Sequence, residues 1–118
     1  MEISKTFGFE SAHSLPNVPE GHKCARVHGH SFRCVVRVEG PVGDDTGWVM
    51  DFADLKAAVQ PTIEALDHRY LNDIDGLENP TSEVVARWIW NRIADSLPGL
   101  AAIEVHETCT SACTYRGD

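Results

Sequence analysis

The strongest constraint on the fold is a pair of alternating segments that each carry histidine on their apolar side. Residues 28–39 alternate between polar and apolar side chains, and residues 2–13 do the same. Side chains two residues apart on a β-strand point to the same face of the sheet. The inward-facing residues are Ile3, Phe7, Phe9 and His13 in one segment and His28, His30, Phe32, Cys34, Val36 and Val38 in the other. The pattern therefore predicts two strands whose three imidazoles face an apolar interior.

Two segments with helical periodicity follow. Asp51 is a suitable N-cap, and apolar residues recur at helical spacing over residues 52–66. Pro61 lies inside this pattern and predicts a kink or a break in the first helix. A second helix is predicted to carry Pro80 in its first turn and to stop at residues 98–99.

The element order then predicts the fold class. A third strand is predicted over residues 101–109, and a fourth would be residues 48–50, the C-terminal stretch or a split of the last strand. The order strand, strand, helix, helix, strand indicates an α+β fold with an antiparallel sheet. No repeat, linker or low-complexity tract interrupts the chain, so residues 1–118 are predicted to form a single domain.

The charge balance argues against several classes of partner. The chain has 118 residues, with 10 Lys+Arg against 18 Asp+Glu and a net charge of −8. This balance argues against sequence-independent binding to nucleic acid or to anionic lipid. No apolar run approaches the roughly 20 residues of a membrane span, and residues 1–5 lack the features of a signal peptide. We therefore expect a cytoplasmic protein, without nucleic-acid or membrane partners, whose four cysteines stay reduced.

One segment is basic although the chain as a whole is acidic. Residues 21–38 contain no Asp or Glu, and Lys23 and Arg26 lie within them on either side of Cys24. A local basic segment in an acidic protein indicates a site for a small anion. We therefore take Lys23 and Arg26 as candidate anion contacts.

The three inward-facing histidines predict a metal site. A single buried imidazole is usually satisfied by a hydrogen bond in the core, but three on neighbouring strands each need a partner. A shared zinc ion would satisfy His13, His28 and His30 together and would leave its fourth position free. Cys24, four residues before His28, could close the site as the fourth ligand or act beside it as an acidified thiol. The spacing leaves these two alternatives open.

Two further carboxylates indicate chemistry less directly. Asp67 precedes His68, and such a pair is either a proton relay or a solvated helix end. Glu107 has the parity of Ile103 and Val105, so its carboxylate should face inward and need hydrogen-bond donors. Those donors could belong to an internal salt bridge or to a ligand with adjacent N–H groups, such as a pterin or guanine.

Six motifs occur together in order along the chain. They are FESAH at 9–13, GHKCARVHGH at 21–30, GWVMDF at 47–52, LDHRYLN at 66–72, ENPTSE at 78–83 and ETCT at 107–110. In this arrangement the chain resembles the 6-pyruvoyltetrahydropterin synthase superfamily over nearly its whole length. Three residues separate Cys24 from His28, and this spacing resembles that of the bacterial 6-carboxytetrahydropterin synthases of queuosine (7-deazaguanine) synthesis. Pyruvoyl-forming members of the superfamily carry a longer insert there.

The resemblance implies a role for each matching residue. It implies zinc ligands at His13, His28 and His30, and a catalytic cysteine at Cys24 rather than a fourth ligand. It implies that Asp67 and His68 assist proton transfer and that Glu107 anchors a pterin. The segments that would line the pterin pocket are Thr81, Ser82 and Glu83 on one side and Thr108 and Cys109 on the other.

The resemblance also implies a reaction and an assembly. The implied substrate is 7,8-dihydroneopterin triphosphate, and the products are 6-carboxytetrahydropterin, acetaldehyde and triphosphate. The alternatives are formation of a pyruvoyl product by triphosphate elimination and a non-catalytic structural zinc module. The implied architecture is the tunnelling fold, a four-stranded antiparallel sheet with two helices on one face. Family members form trimers that pair into hexamers with sites between subunits.

Overall fold

Two long antiparallel strands form the centre of the protein. The computed structural model describes all residues, 1–118. Strand β1 spans Glu2–His13 and β2 spans His28–Glu39. They pair along their whole length, from Glu2 opposite Glu39 to His13 opposite His28. This register brings the three histidines to the same end of the sheet.

The sheet is larger and more mixed than the sequence indicated. Strand β3 spans Arg69–Tyr70, β4 spans Leu100–Thr108 and β5 spans Ser111–Tyr115. The five strands lie in the order β3-β1-β2-β4-β5. The prediction of four antiparallel strands is therefore wrong, because β3 adds a fifth strand and runs parallel to β1. The C-terminal stretch supplies β5, whereas residues 48–50 form a bend and pair with no strand.

The first helix differs from its prediction at one proline. Helix α1 spans Phe52–Leu66, and the Asp51 side chain accepts a hydrogen bond from the Ala53 N–H at 2.8 Å. The cap is as predicted, but the helix continues through Pro61 without a break. Proline removes one backbone donor, and the buried face of the helix compensates by packing into the core. That face consists of Leu55, Val59, Thr62, Ile63 and Leu66.

The second helix is shorter than predicted. Helix α2 spans Ser82–Ile93, and Thr81 is its N-cap, with its hydroxyl accepting a hydrogen bond from the Val84 N–H at 3.1 Å. Pro80 therefore precedes the cap rather than lying in the first turn. The α-helix ends at Ile93, and a short 3₁₀ turn follows over residues 94–96. Neither helix has the length and apolar character that crossing a bilayer requires.

Both helices pack on the same face of the sheet. Nineteen buried apolar residues form one core cluster, of which sixteen come from the inward faces of β1, β2 and β4 and from both helices, and Leu71, Leu77 and Leu97 come from the connecting segments. Burial raises the pKa of the Cys34 thiol in this core to about 12, so that thiol stays protonated and inert.

The other face of the sheet carries charged side chains, including Arg37, whose Nε donates to Glu104 Oε1 at 2.7 Å. The hydrogen bond from Arg37 lowers the pKa of Glu104.

Candidate metal centre and adjoining pocket

Three histidines and one glutamate converge where β1 ends and β2 begins. His13 is the last residue of β1, His28 and His30 open β2, and Glu107 reaches them from β4. One ligand atom from each of the four side chains lies within 4.8 Å of the other three. His13 is fully buried, while the other three are partly buried. The group could therefore hold a metal ion.

Backbone carbonyls orient two of the imidazoles. Nδ1 of His13 lies 2.8 Å from the carbonyl oxygen of Pro80, and Nδ1 of His28 lies 2.8 Å from that of Arg26. Since a carbonyl oxygen only accepts, each Nδ1 carries the proton, and Nε2 of the neutral ring carries a lone pair. Metal-binding histidines commonly have such a second hydrogen bond. The Nε2 lone pairs are therefore available to a metal ion.

The buried nitrogens provide a test of whether an ion fits. Nε2 of His13 and of His30 are buried without a hydrogen bond, although Glu107 Oε1 lies 3.1 and 3.0 Å away. A nitrogen lone pair against a carboxylate oxygen is repulsive unless a cation lies between them. Burial lowers the pKa of His30 and outweighs the opposing effect of the Glu107 carboxylate. The residues thus have the protonation state and the spacing that a metal ion needs.

A pocket of about 420 Å³ opens beside this cluster. Its lining residues are Lys23, Cys24, His28, His30, Glu107 and Thr108. Cys24 lies on a 3₁₀ turn over Lys23–Ala25, and its N–H donates to His22 Nδ1 at 3.0 Å. The Leu15 N–H donates to the Cys24 carbonyl at 2.8 Å. These two bonds hold a half-buried thiol next to the imidazoles but outside the group of four converging side chains.

Some of the predicted pterin-binding residues lie beside Glu107. Glu107 Oε2 accepts a hydrogen bond from the Ser82 hydroxyl at 3.3 Å. Ser82, Glu83 and Glu107 line a second pocket of about 150 Å³. Thr108 lines the main pocket, whereas Cys109 is exposed in the turn between β4 and β5.

The two predicted anion contacts lie differently. Lys23 lines the main pocket, whereas Arg26 is exposed and is not among the lining residues. The Arg26 carbonyl instead accepts the hydrogen bond from His28. The main pocket therefore has one cationic side chain in its wall.

Asp67 and His68 form a pair at the end of α1. Asp67 Oδ2 lies 3.0 Å from His68 Nδ1, and the His68 side chain is 80% exposed. The backbone of Glu10 holds both residues, since its N–H donates to Asp67 Oδ1 at 2.8 Å and its carbonyl accepts from the His68 N–H at 2.6 Å. The hydrogen bond from the Glu10 N–H lowers the pKa of Asp67, and the hydrogen bond with the His68 side chain lowers it further. Neither residue lines the pocket that contains Cys24.

Backbone conformation marks the same pair. His68 is the only non-glycine residue with a positive φ, at 57°. Such a conformation costs energy for a residue with a β-carbon and often accompanies a functional position. The two hydrogen bonds to Glu10 help to hold it.

Sequence reasoning missed the contact between Glu107 and the histidines. It predicted an inward-facing carboxylate but assigned it only to an internal salt bridge or to a substrate. The signal lay in the strand order, because β4 pairs with β2 and so brings inward-facing residues of both strands together. That pairing could not be read from the chain alone.

Comparisons with known proteins agree with this fold. The family model described as 6-pyruvoyl tetrahydropterin synthase matches residues 2–118. A 6-carboxy-5,6,7,8-tetrahydropterin synthase from Synechocystis is 52% identical, with 96% of this chain and 91% of that protein covered. A dihydroneopterin monophosphate aldolase from Pyrococcus furiosus is 43% identical, with 77% and 73% covered. A structure of the 6-pyruvoyl tetrahydropterin synthase of Caenorhabditis elegans superposes with a TM-score of 0.92 at 25% identity, covering 100% and 96%.

These matches identify an enzyme built on a small α+β sheet, with a cluster of four side chains at one end that could hold a metal ion. The chain belongs to the 6-pyruvoyl tetrahydropterin synthase family, whose members are lyases.

Proposed function

We propose that the protein is a zinc-dependent lyase that converts 7,8-dihydroneopterin triphosphate and water to 6-carboxy-5,6,7,8-tetrahydropterin, acetaldehyde and triphosphate. The observation that carries this proposal is the 52% identity to the Synechocystis 6-carboxy-5,6,7,8-tetrahydropterin synthase across 96% of the chain. A half-buried thiol beside a histidine-rich metal cluster supports it chemically. Three imidazoles favour zinc over magnesium or calcium, which prefer oxygen ligands.

Each reacting group has a proposed role. His13, His28 and His30 would hold the zinc ion, which would supply a Lewis acid able to polarise substrate oxygens. Cys24 removes or returns a proton at carbon from its place in the pocket wall. His68, oriented by Asp67 at 3.0 Å, serves as the opposing acid or base.

The remaining residues hold the substrate. Glu107 accepts hydrogen bonds from the adjacent N–H groups of the pterin, and the polar residues around it complete the binding site. Lys23 and Arg26 bind the triphosphate. The residues proposed to line the pterin are Thr81, Ser82, Glu83, Thr108 and Cys109.

The proposal extends to the cellular role. Residues 1–118 act as one catalytic domain in the cytoplasm, in queuosine (7-deazaguanine) biosynthesis. The support for this pathway is the spacing of Cys24, His28 and His30, which matches the queuosine branch of the family. The acidic net charge of −8 argues against nucleic-acid binding, and the acid-free segment over residues 21–38 supplies the positive charge for a small polyanion.

We also propose a homohexamer, formed as a dimer of trimers, with each site shared between subunits. Two observations support shared sites. The outer edge of β1 pairs with β3 only at Ser11 and Ala12, which leaves most of its length open to another chain. His68 is highly exposed and lies outside the pocket of Cys24 in the same chain.

Mixing two inactive variants tests whether sites are shared. Cys24→Ala and His68→Ala should each be inactive alone. The two variants are mixed in equal amounts, unfolded and refolded together. If neighbouring subunits supply the two residues of one site, random assembly should produce about a quarter of the sites with both Cys24 and His68 intact. Activity of the mixture is the measurement. A mixture that stays inactive, although mass spectrometry shows hybrid oligomers, would place both residues in one chain's site.

A second candidate function is formation of 6-pyruvoyltetrahydropterin by triphosphate elimination. The favouring observation is the TM-score of 0.92 with the 6-pyruvoyl tetrahydropterin synthase of C. elegans. The same zinc, thiol and proton-transfer groups suit either outcome, since both begin with a proton taken from carbon.

A product assay separates the candidates. We expect purified zinc-loaded protein to convert dihydroneopterin triphosphate to acetaldehyde and 6-carboxytetrahydropterin, measured by liquid chromatography and an aldehyde-trapping reagent. A pyruvoyl product without acetaldehyde would support the second candidate instead. Dihydroneopterin monophosphate serves as the comparison substrate, because the Pyrococcus relative is named for it. Faster turnover of the monophosphate would contradict the proposed triphosphate specificity.

A further inference from the structure

A role in holding substrate does not explain one contact of Glu107. Its Oε1 lies 3.1 Å from Nε2 of His13 and 3.0 Å from Nε2 of His30, yet neither nitrogen has a hydrogen bond. Two ligand atoms on one tetrahedral zinc ion are about 3.3 Å apart when the bonds are about 2.0–2.1 Å long. The observed separations are close to that value. They suit neighbours on a common ion, and neither nitrogen forms a hydrogen bond with the carboxylate.

We infer that Glu107 is a fourth ligand of the metal centre, bound through Oε1, in the enzyme without substrate. Its ligand atom belongs to the same group, within 4.8 Å, as those of His13, His28 and His30. Cys24, the other candidate for the fourth position, lines the adjoining pocket instead. Three imidazoles and one carboxylate fill a tetrahedral zinc site, so the resting centre is closed.

The same carboxylate is the proposed pterin anchor, so the next step rests on the proposed function. A bidentate contact to two adjacent N–H donors uses both carboxylate oxygens. At rest Oε2 accepts a hydrogen bond at 3.3 Å from the hydroxyl of Ser82, one of the residues proposed to line the pterin. A pterin N–H that donates to Oε1 competes with the metal for electron density on that oxygen, so bidentate pterin binding would draw Glu107 away from the metal. The fourth position therefore opens as the substrate arrives.

Zinc affinity tests the ligand assignment without any substrate. Glu107→Gln and Glu107→Ala should bind zinc about 10- to 100-fold more weakly than the wild type, measured by competition with a chelator. Glu104→Gln is the matched control, because it removes the same charge from the same strand but from the face of Arg37. Circular dichroism of each metal-free variant confirms that the sheet is retained.

Two results would overturn the ligand assignment. One is a zinc affinity in Glu107→Gln equal to that of the wild type. The other is an equal loss in Glu104→Gln, since that would reflect the general charge of β4 rather than coordination. Loss confined to the two Glu107 variants supports it.

The exchange is tested with 6-methylpterin, which lacks the side-chain hydroxyls that could bind metal. Saturating 6-methylpterin should weaken zinc binding to the wild type, and zinc should weaken pterin binding by the same factor. Glu107→Gln should show no such coupling. Pterin binding that leaves the zinc affinity of the wild type unchanged would overturn the exchange. Failure of the metal-free wild type to bind 6-methylpterin would refute the anchor role, and with it the exchange, but not the fourth ligand.

Discussion

Replacing Cys24 by alanine should lower the turnover of dihydroneopterin triphosphate by about 100- to 10,000-fold, the usual loss when a positioned acid or base is removed. The thiol lines the pocket beside His28 and His30 but lies outside the converging ligand group. We therefore expect the variant to keep its zinc and its oligomeric state. The measurements are the rate of product formation, the zinc content by atomic absorption, and the mass in solution by light scattering.

Cys24→Ser is the companion variant. Its hydroxyl preserves size and polarity but ionises far less readily than a thiol, so its activity should also fall. If Cys24→Ala instead loses zinc and unfolds, the cysteine is a structural ligand and the protein is a non-catalytic zinc module. Full activity in either variant would remove Cys24 from the reaction.

Replacing His28 by alanine should weaken zinc binding by at least about 100-fold, because a ligand is lost outright. His28 is the better choice than His13, which is fully buried and whose removal would also leave a cavity. His28 is partly buried at the edge of the pocket, so β1 and β2 should remain paired. Chelator competition gives the zinc affinity, and circular dichroism reports on the sheet.

His106→Ala is the matched control for this variant. His106 belongs to β4 but points to the charged face, where Nε2 lies 3.3 Å from Glu104. Its loss should leave the zinc affinity unchanged. Wild-type zinc content in His28→Ala, with the His106 variant behaving as expected, would refute the three-histidine site.

Much of the fold could be predicted because the strong local signals agree with the tertiary structure. The bounds of β1 and β2 follow from their alternation, and the Asp51 cap follows from its side chain. The errors have tertiary causes. Strand β3 is two residues long and forms only because α1 ends beside β1. A segment this short shows no hydrophobic alternation in the sequence that could have predicted it. Pro61 is tolerated because the buried face of α1 holds the helix together.

For the site, too, local sequence patterns predicted some positions and only the tertiary structure gives the others. Parity alone indicated that His13, His28 and His30 face one interior, and in the structure they converge. The position of Glu107 against them depends on the pairing of β4 with β2, which is a property of the folded sheet. Likewise, only the structure reveals that Asp67 and His68 lie away from the pocket of Cys24.

The attachment of the Asp67–His68 pair has a consequence for natural variation. The pair is held through the main-chain N–H and carbonyl of Glu10, with no contribution from the Glu10 carboxylate. That carboxylate instead accepts a hydrogen bond from Ser31. Relatives can therefore exchange the side chain at this position freely without disturbing the pair. Proline is the exception, because it has no N–H to offer the aspartate.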